Sequence, residues 1–79
     1  MPIDRDGKVP IYRQIADELR HGIDTGEYPA GRRLPSETEL VSTYQVARLT
    51  ARRAVRALAE EGLVEVIPGR GAFVTGQAA

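Results

Sequence analysis

The sequence predicts a mainly α fold, three helices followed by a small β-hairpin, and three patterns carry that prediction. Ile11, Ile15, Leu19 and Ile23 recur every four residues. Ser36-Glu37-Thr38-Glu39 has the form of a capping box, and beyond it a turn at Gln45-Val46 leads into a long stretch rich in Ala and Arg. Two short β-prone runs then flank Pro68-Gly69-Arg70-Gly71. With 79 residues there is room for one domain.

Residues 1–9 are polar, contain Gly7 and read as a loose N-terminal arm. Pro10 suits a first helical turn, where its missing N–H costs nothing, so a helix is expected over about Pro10–Thr25. Tyr12 and Ala16 widen its apolar stripe, and Gly26 is placed to cap its end. Tyr28-Pro29-Ala30-Gly31 is a turn. A short helix is expected over about Glu37–Tyr44, with the Ser36 hydroxyl accepting from the Glu39 N–H and the Glu39 side chain reaching back. The third helix is expected from about Ala47 to Glu61, stopping at Gly62. Leu63–Ile67 and Ala72–Thr75 form the hairpin. Two helices across a tight turn make a helix-turn-helix over about residues 36–61, and the hairpin over about 63–75 makes it a winged one. The domain thus spans about residues 10–75, and 76–79 read as a tail or the start of a linker.

Composition excludes several functions. With no Cys and one His there is no disulfide, thiolate metal site or multi-His centre. No apolar run is long enough to cross a membrane, and the N-terminus lacks a signal-peptide layout, so a cytoplasmic setting is expected. His21 is offset from the Ile stripe and reads as surface. No nucleophile–base pair, paired carboxylates or phosphate-cradling loop is apparent, so neither an enzyme nor a cofactor is expected. Gly69-Arg70-Gly71 precedes a strand rather than a helix and is no nucleotide loop.

Eleven basic and eleven acidic side chains cancel, which speaks against a nucleic-acid partner until their placement is considered. Residues 1–31 are net −2, residues 32–58 net +4 and residues 59–79 net −2. From Ser42 to Ala59 there is no acid. At ~100° per residue, Ala47, Ala51, Ala54, Val55 and Leu58 share one arc of the third helix and are the expected core face. Arg48, Arg52, Arg53 and Arg56 share another, with Leu49 among them. Near the start of such a helix, Arg can bond guanine bidentately and Leu can pack on a thymine methyl.

Arg48, Leu49 and Arg52 are therefore candidate base contacts, though a lone exposed Leu is also ordinary. The Thr50 hydroxyl reaches either a phosphate or the carbonyl one turn back. Arg53 and Arg56 suit phosphates, unless Arg56 pairs with Glu60. Arg32 and Arg33 precede the capping box and are either phosphate contacts or plain surface. The helix start at Ser36 can offer N–H groups to a phosphate, with Glu37 a repulsive neighbour. Gly69 permits positive φ, and Arg70 puts a charge at the hairpin tip, which suits entry into a minor groove or a simple solvated turn.

Several separated motifs, together covering roughly residues 8–75, resemble the GntR-family winged helix-turn-helix domain. They are Leu34-Pro35-Ser36-Glu37, Val46-Ala47-Arg48-Leu49-Thr50-Ala51-Arg52, Glu61-Gly62-Leu63-Val64 and Gly69-Arg70-Gly71-Ala72-Phe73-Val74. Pro10-Ile11-Tyr12 with Gln14-Ile15 resembles the family's opening helix. The resemblance implies a bacterial transcriptional regulator, usually a repressor, that binds palindromic operators as a dimer. It also implies that Arg48 and Arg52 read bases or phosphates, that Thr50 contacts the DNA, and that Gly69 lies at the minor groove.

Three positions depart from the pattern. Thr38 stands where an Arg contact is usual, Ala47 where Ser or Thr often caps, and Leu49 where a small polar residue is usual. Family members also carry a C-terminal effector-binding and dimerisation domain, absent from these 79 residues, so the chain is either an excised domain or a naturally short member. Sequence-specific binding of double-stranded DNA is the expected function, with pairing as a homodimer on the DNA. The alternative is a winged helix that serves as a protein-interaction module.

Overall fold

The structure, a computed structural model, describes residues 3–75. Three helices, α1 (Ile11–Thr25), α2 (Glu37–Tyr44) and α3 (Arg48–Glu60), precede two strands, β1 (Val64–Ile67) and β2 (Gly71–Val74). This is the expected order and the winged helix-turn-helix fold. The tail assigned to residues 76–79 lies outside the described residues, as do residues 1–2.

α1 presents its stripe as read. Ile15, Ala16, Leu19 and Ile23 are buried, Ile11 and Tyr12 are half-buried, and His21 is exposed. Pro10 stands one position earlier than expected. It is the N-cap, with ψ 146°, and its carbonyl accepts from Arg13 and Gln14. Gly26 closes the helix with φ 89°. Both capping-box bonds form at α2, Glu39 N–H to Ser36 Oγ at 3.1 Å and Ser36 N–H to Glu39 Oε1 at 2.8 Å. Gln45, with φ 56°, makes the tight turn into α3.

On α3, Ala51, Ala54, Val55 and Leu58 are buried against α1 and the hairpin. Ala47, placed on the core face by its phase, is instead exposed. It is the N-cap, and its extended backbone (ψ 155°) takes it off the helical phase. It has no side-chain oxygen to cap with. Glu61 ends the helix, and Gly62 turns the chain at φ 80°.

The arm is not loose over its described residues. Ile3 packs on the core. Gln14 Nε2 donates to the Asp4 and Val9 carbonyls, and its Oε1 accepts from the Asp4 N–H. Arg5 Nη2 donates to the carbonyls of Tyr44 and Gln45 at 2.6 and 2.9 Å. A helix leaves its last carbonyls without intrahelical partners, and Arg5 supplies donors there for α2.

β1 and β2 pair antiparallel, with Val64 opposite Val74 and Ile67 opposite Gly71. The other edge of β2 is also bonded. Gly31 N–H donates to the Val74 carbonyl, Val74 N–H to Arg32, and Leu34 N–H to Ala72. Arg33 thereby forms an isolated bridge with Phe73. The wing is thus tied to the segment that opens α2, with the buried Leu34 as its anchor.

Beside α1, the Tyr28 ring lies over Gly22, where an added Cβ would meet ring carbons at 2.5 and 2.6 Å. Gly22→Ala is expected to cost about 1–3 kcal/mol by overpacking. Ser36→Ala is expected to cost about 1 kcal/mol through the lost cap. Urea denaturation of each variant beside the parent measures both.

Candidate nucleic-acid interface

A groove of about 530 Å³ runs between the start of α2, the start of α3 and the hairpin tip. Its lining gathers residues far apart in sequence: Arg33, Ser36, Arg48, Gly69 and Arg70, all singled out as candidates, together with Glu37 and Thr38. Val55 and Val66 add apolar lining. The exposed Val66 continues the face on which Val64 is buried.

Each side chain reaches the groove for a local reason. Arg48 is the first residue of α3, so its side chain lies at the helix end that carries unsatisfied N–H groups. Arg33 is held by the bridge to Phe73, and its aliphatic stem crosses Gly71. A Cβ on Gly71 would meet Arg33 Cδ at 3.0 Å, and Gly71 also has φ 117°. At the tip, Arg70 N–H donates to the Ile67 carbonyl. With Pro68 second, and Gly69 third at φ 77°, this is the type II pattern.

Glu37, expected as a repulsive neighbour for a phosphate here, is paired with two arginines of α3. Arg52 Nε and Nη2 donate to its two carboxylate oxygens at 3.1 and 3.3 Å. Arg48 Nη1 lies 3.6 Å from Glu37 Oε1, an ion pair longer than a hydrogen bond. These bonds, that of Arg52 first, hold the Glu37 carboxyl below its ordinary range. The Arg52 guanidinium is held more firmly charged by the same contact.

The remaining candidates sit elsewhere. Leu49 is 67% exposed, one position beyond Arg48. Thr50 is half-buried, and Arg32 is exposed while its backbone serves β2. Arg53 and Arg56 do not enter the groove. They line a smaller depression of about 220 Å³ with Tyr12, Arg13 and Glu60. There Arg53 stacks on the Tyr12 ring, 4.4 Å from its centre. This cation–π contact holds the guanidinium beside α1 without consuming its N–H groups on an acid.

Sequence reasoning missed the part played by Glu37 and that of Tyr12. Fifteen residues separate Glu37 from Arg52, and no helical spacing relates them. Only the crossing of α2 and α3 brings them together.

A family model described as "Bacterial regulatory proteins, gntR family" matches residues 11–74. The mannosyl-D-glycerate transport/metabolism system repressor MngR of Escherichia coli is 44% identical over 68 residues, 86% of this chain and 28% of that protein. The chain spans less than a third of the length of the curated relatives it matches. Among solved structures, YtrA from Sulfolobus acidocaldarius, a GntR-family transcription factor, superposes with a TM-score of 0.86 at 39% identity. That match covers 96% of this chain and 80% of YtrA. The DNA-binding domain of AraR in complex with operator ORR3 matches with a TM-score of 0.84 at 31% identity, covering 95% of this chain and 90% of that one.

A carboxylate held below its ordinary pKa stabilises the fold at neutral pH, and that contribution is lost as pH falls through its folded-state value. Carboxyl-detected NMR titration is expected to find the Glu37 midpoint below that of an unpaired Glu in the parent. In Arg52→Ala it is expected to move back up toward the ordinary range.

Proposed function

Because the chain belongs to the gntR family of bacterial regulatory proteins, we propose that it is the operator-binding unit of a transcriptional regulator of the repressor type. The observation that carries this reading is the convergence of Arg33, Arg48 and Arg70 on one groove beside the exposed N-terminal face of α3. The similarity to a domain crystallised on its operator supports it.

In this reading α3 enters the major groove with Arg48, Leu49, Thr50 and Arg52 nearest the base edges. Arg70 and Gly69 approach the minor groove, whose negative potential favours Arg. The N–H groups at the start of α2, with Ser36 and Arg33, meet the phosphate backbone between the two. Arg53 and Arg56, lodged beside Tyr12 and Arg13, suit the backbone further along the same face. Such phosphate contacts set register and affinity, whereas the base contacts select sequence.

The operator is expected to be palindromic and to bring two copies together on the DNA, with half-sites about one helical turn apart or a multiple of it. The activity is binding, with no bond made or broken, and its place is the bacterial cytoplasm, where the DNA lies. No helix among the described residues is long and apolar enough to cross a membrane.

Selection of bound duplexes from a random DNA pool tests this reading directly, because it reads binding, symmetry and spacing together. Arg48→Ala and Arg52→Ala are each expected to weaken binding to the selected site by roughly ten- to a hundredfold at matched salt. Parent-like affinity in both would remove α3 as the reading element. Leu49→Thr is expected to change the selected base at one position per half-site while leaving total affinity within about threefold. An unchanged consensus would count Leu49 as ordinary surface.

A further inference from the structure

We infer that Glu37 sets the sequence specificity of the α3 arginines, holding Arg52 in an aimed pose and cancelling part of the attraction of both Arg48 and Arg52 for phosphate. The inference rests on the DNA-binding reading above and adds to it a residue that touches the arginines rather than DNA.

The geometry gives Arg52 two separable edges. Its side edge, Nε and Nη2, is taken by the Glu37 carboxylate. Its end edge, Nη1 and the outer hydrogen of Nη2, remains open, and two parallel N–H groups are what a guanine O6/N7 contact needs. Arg52 can therefore keep Glu37 and bond a base at the same time. Glu37 is itself well fixed. It is the first residue of α2, directly after the capping Ser36, and the box sets the path of the backbone there. A carboxylate at a helix N-terminus is also favoured by the helix dipole.

The charge arrangement supplies the second half. α3 has no acid between Arg48 and Ala59, so its starting arginines draw their neutralising charge from another element. Glu37 provides it, with its side chain about one-third exposed at the groove. On random DNA an arginine gains only phosphate contact, and a carboxylate already bound to it opposes that gain. On the cognate site the base contact of the end edge is added without breaking the Glu37 pair. Glu37 therefore penalises non-cognate DNA more than the operator, acting as a positioning residue.

The test compares the parent with Glu37→Gln, Glu37→Asp and Asp24→Asn. The last removes one negative charge from an exposed position on α1 and controls for net charge. Each is titrated against the duplex selected from a random pool and against random duplex, over a salt series, with folding checked by circular dichroism. For Glu37→Gln, random-duplex affinity is expected to rise about tenfold at about 0.1 M salt. Its log–log salt dependence is expected to steepen by about 0.9, as one further phosphate is neutralised. Operator affinity is expected to rise less, so the specificity ratio falls. Glu37→Asp is expected to restore the parent salt dependence, and Asp24→Asn to change the ratio little.

Equal gains on operator and random duplex, or an Asp24→Asn effect as large as that of Glu37→Gln, would overturn the inference. So would unchanged random-duplex binding in Glu37→Gln. A parent that binds neither duplex would instead remove the DNA-binding reading itself, so the two failures are distinct.

Discussion

The double bonding of β2 is the constraint on which the rest of the arrangement depends. A two-stranded hairpin alone is marginal in water, and four residues per strand add little. Here β2 pairs with β1 on one edge and with residues 31–34 on the other. That second edge binds the wing to the chain immediately before α2. Leu34 then drops into the core, and Pro35 and Ser36 start the helix. The distance between wing tip and helix start is thereby set by backbone hydrogen bonds, and the groove between them follows. Gly71 belongs to the same arrangement, since its φ of 117° favours glycine and a Cβ there would press on the Arg33 stem at 3.0 Å.

The core that supports this is built for close approach. Ala16 of α1 and Ala51 and Ala54 of α3 are fully buried, and such small side chains let helix axes draw near. Larger residues fill what remains: Ile15, Leu19, Leu34, Leu40 and Leu58. Polar ties then secure the helices at their ends. Arg20 of α1 bonds Glu61 at the end of α3 and Asp17 one turn back. The Tyr44 hydroxyl of α2 donates to Glu18 of α1 at 3.0 Å. Arg5 closes the end of α2. These ties leave the N-terminal halves of α2 and α3 facing outward beside the wing.

Net charge is a poor guide to such a molecule. A sum of zero conceals a +4 segment between two −2 flanks, and the fold divides the arginines further. Arg33, Arg48 and Arg70 face a groove, Arg48 and Arg52 pair with Glu37, and Arg53 stacks on an aromatic ring. These environments differ in how easily a phosphate can claim the cation. Ion pairs at exposed sites contribute little to stability. Their effect on binding is larger, because a partner must compete with them.

Periodicity and caps were sufficient for the elements. The four-residue apolar stripe, the capping box and Gly26, Gly62 and Gly69 are local signals, each set by a few neighbouring backbone angles. Helix and strand limits read from them lie within about one residue of those observed. The exposed position of Leu49 and the Ala face of α3 were legible for the same reason, since helical phase alone determines them. Ala47 escaped because a cap lies off that phase. The attachment of residues 31–34 to β2, the Arg5 contacts, the Glu37 pairs and the Tyr12–Arg53 stack could not be read in this way. Each joins residues eleven or more apart in different segments of the chain, and their meeting depends on how helices cross and strands pair. The sequence by itself determined which segments fold and which faces they bury. Only the tertiary structure decided which arginines share a groove and which acid holds them, because that choice belongs to packing between elements.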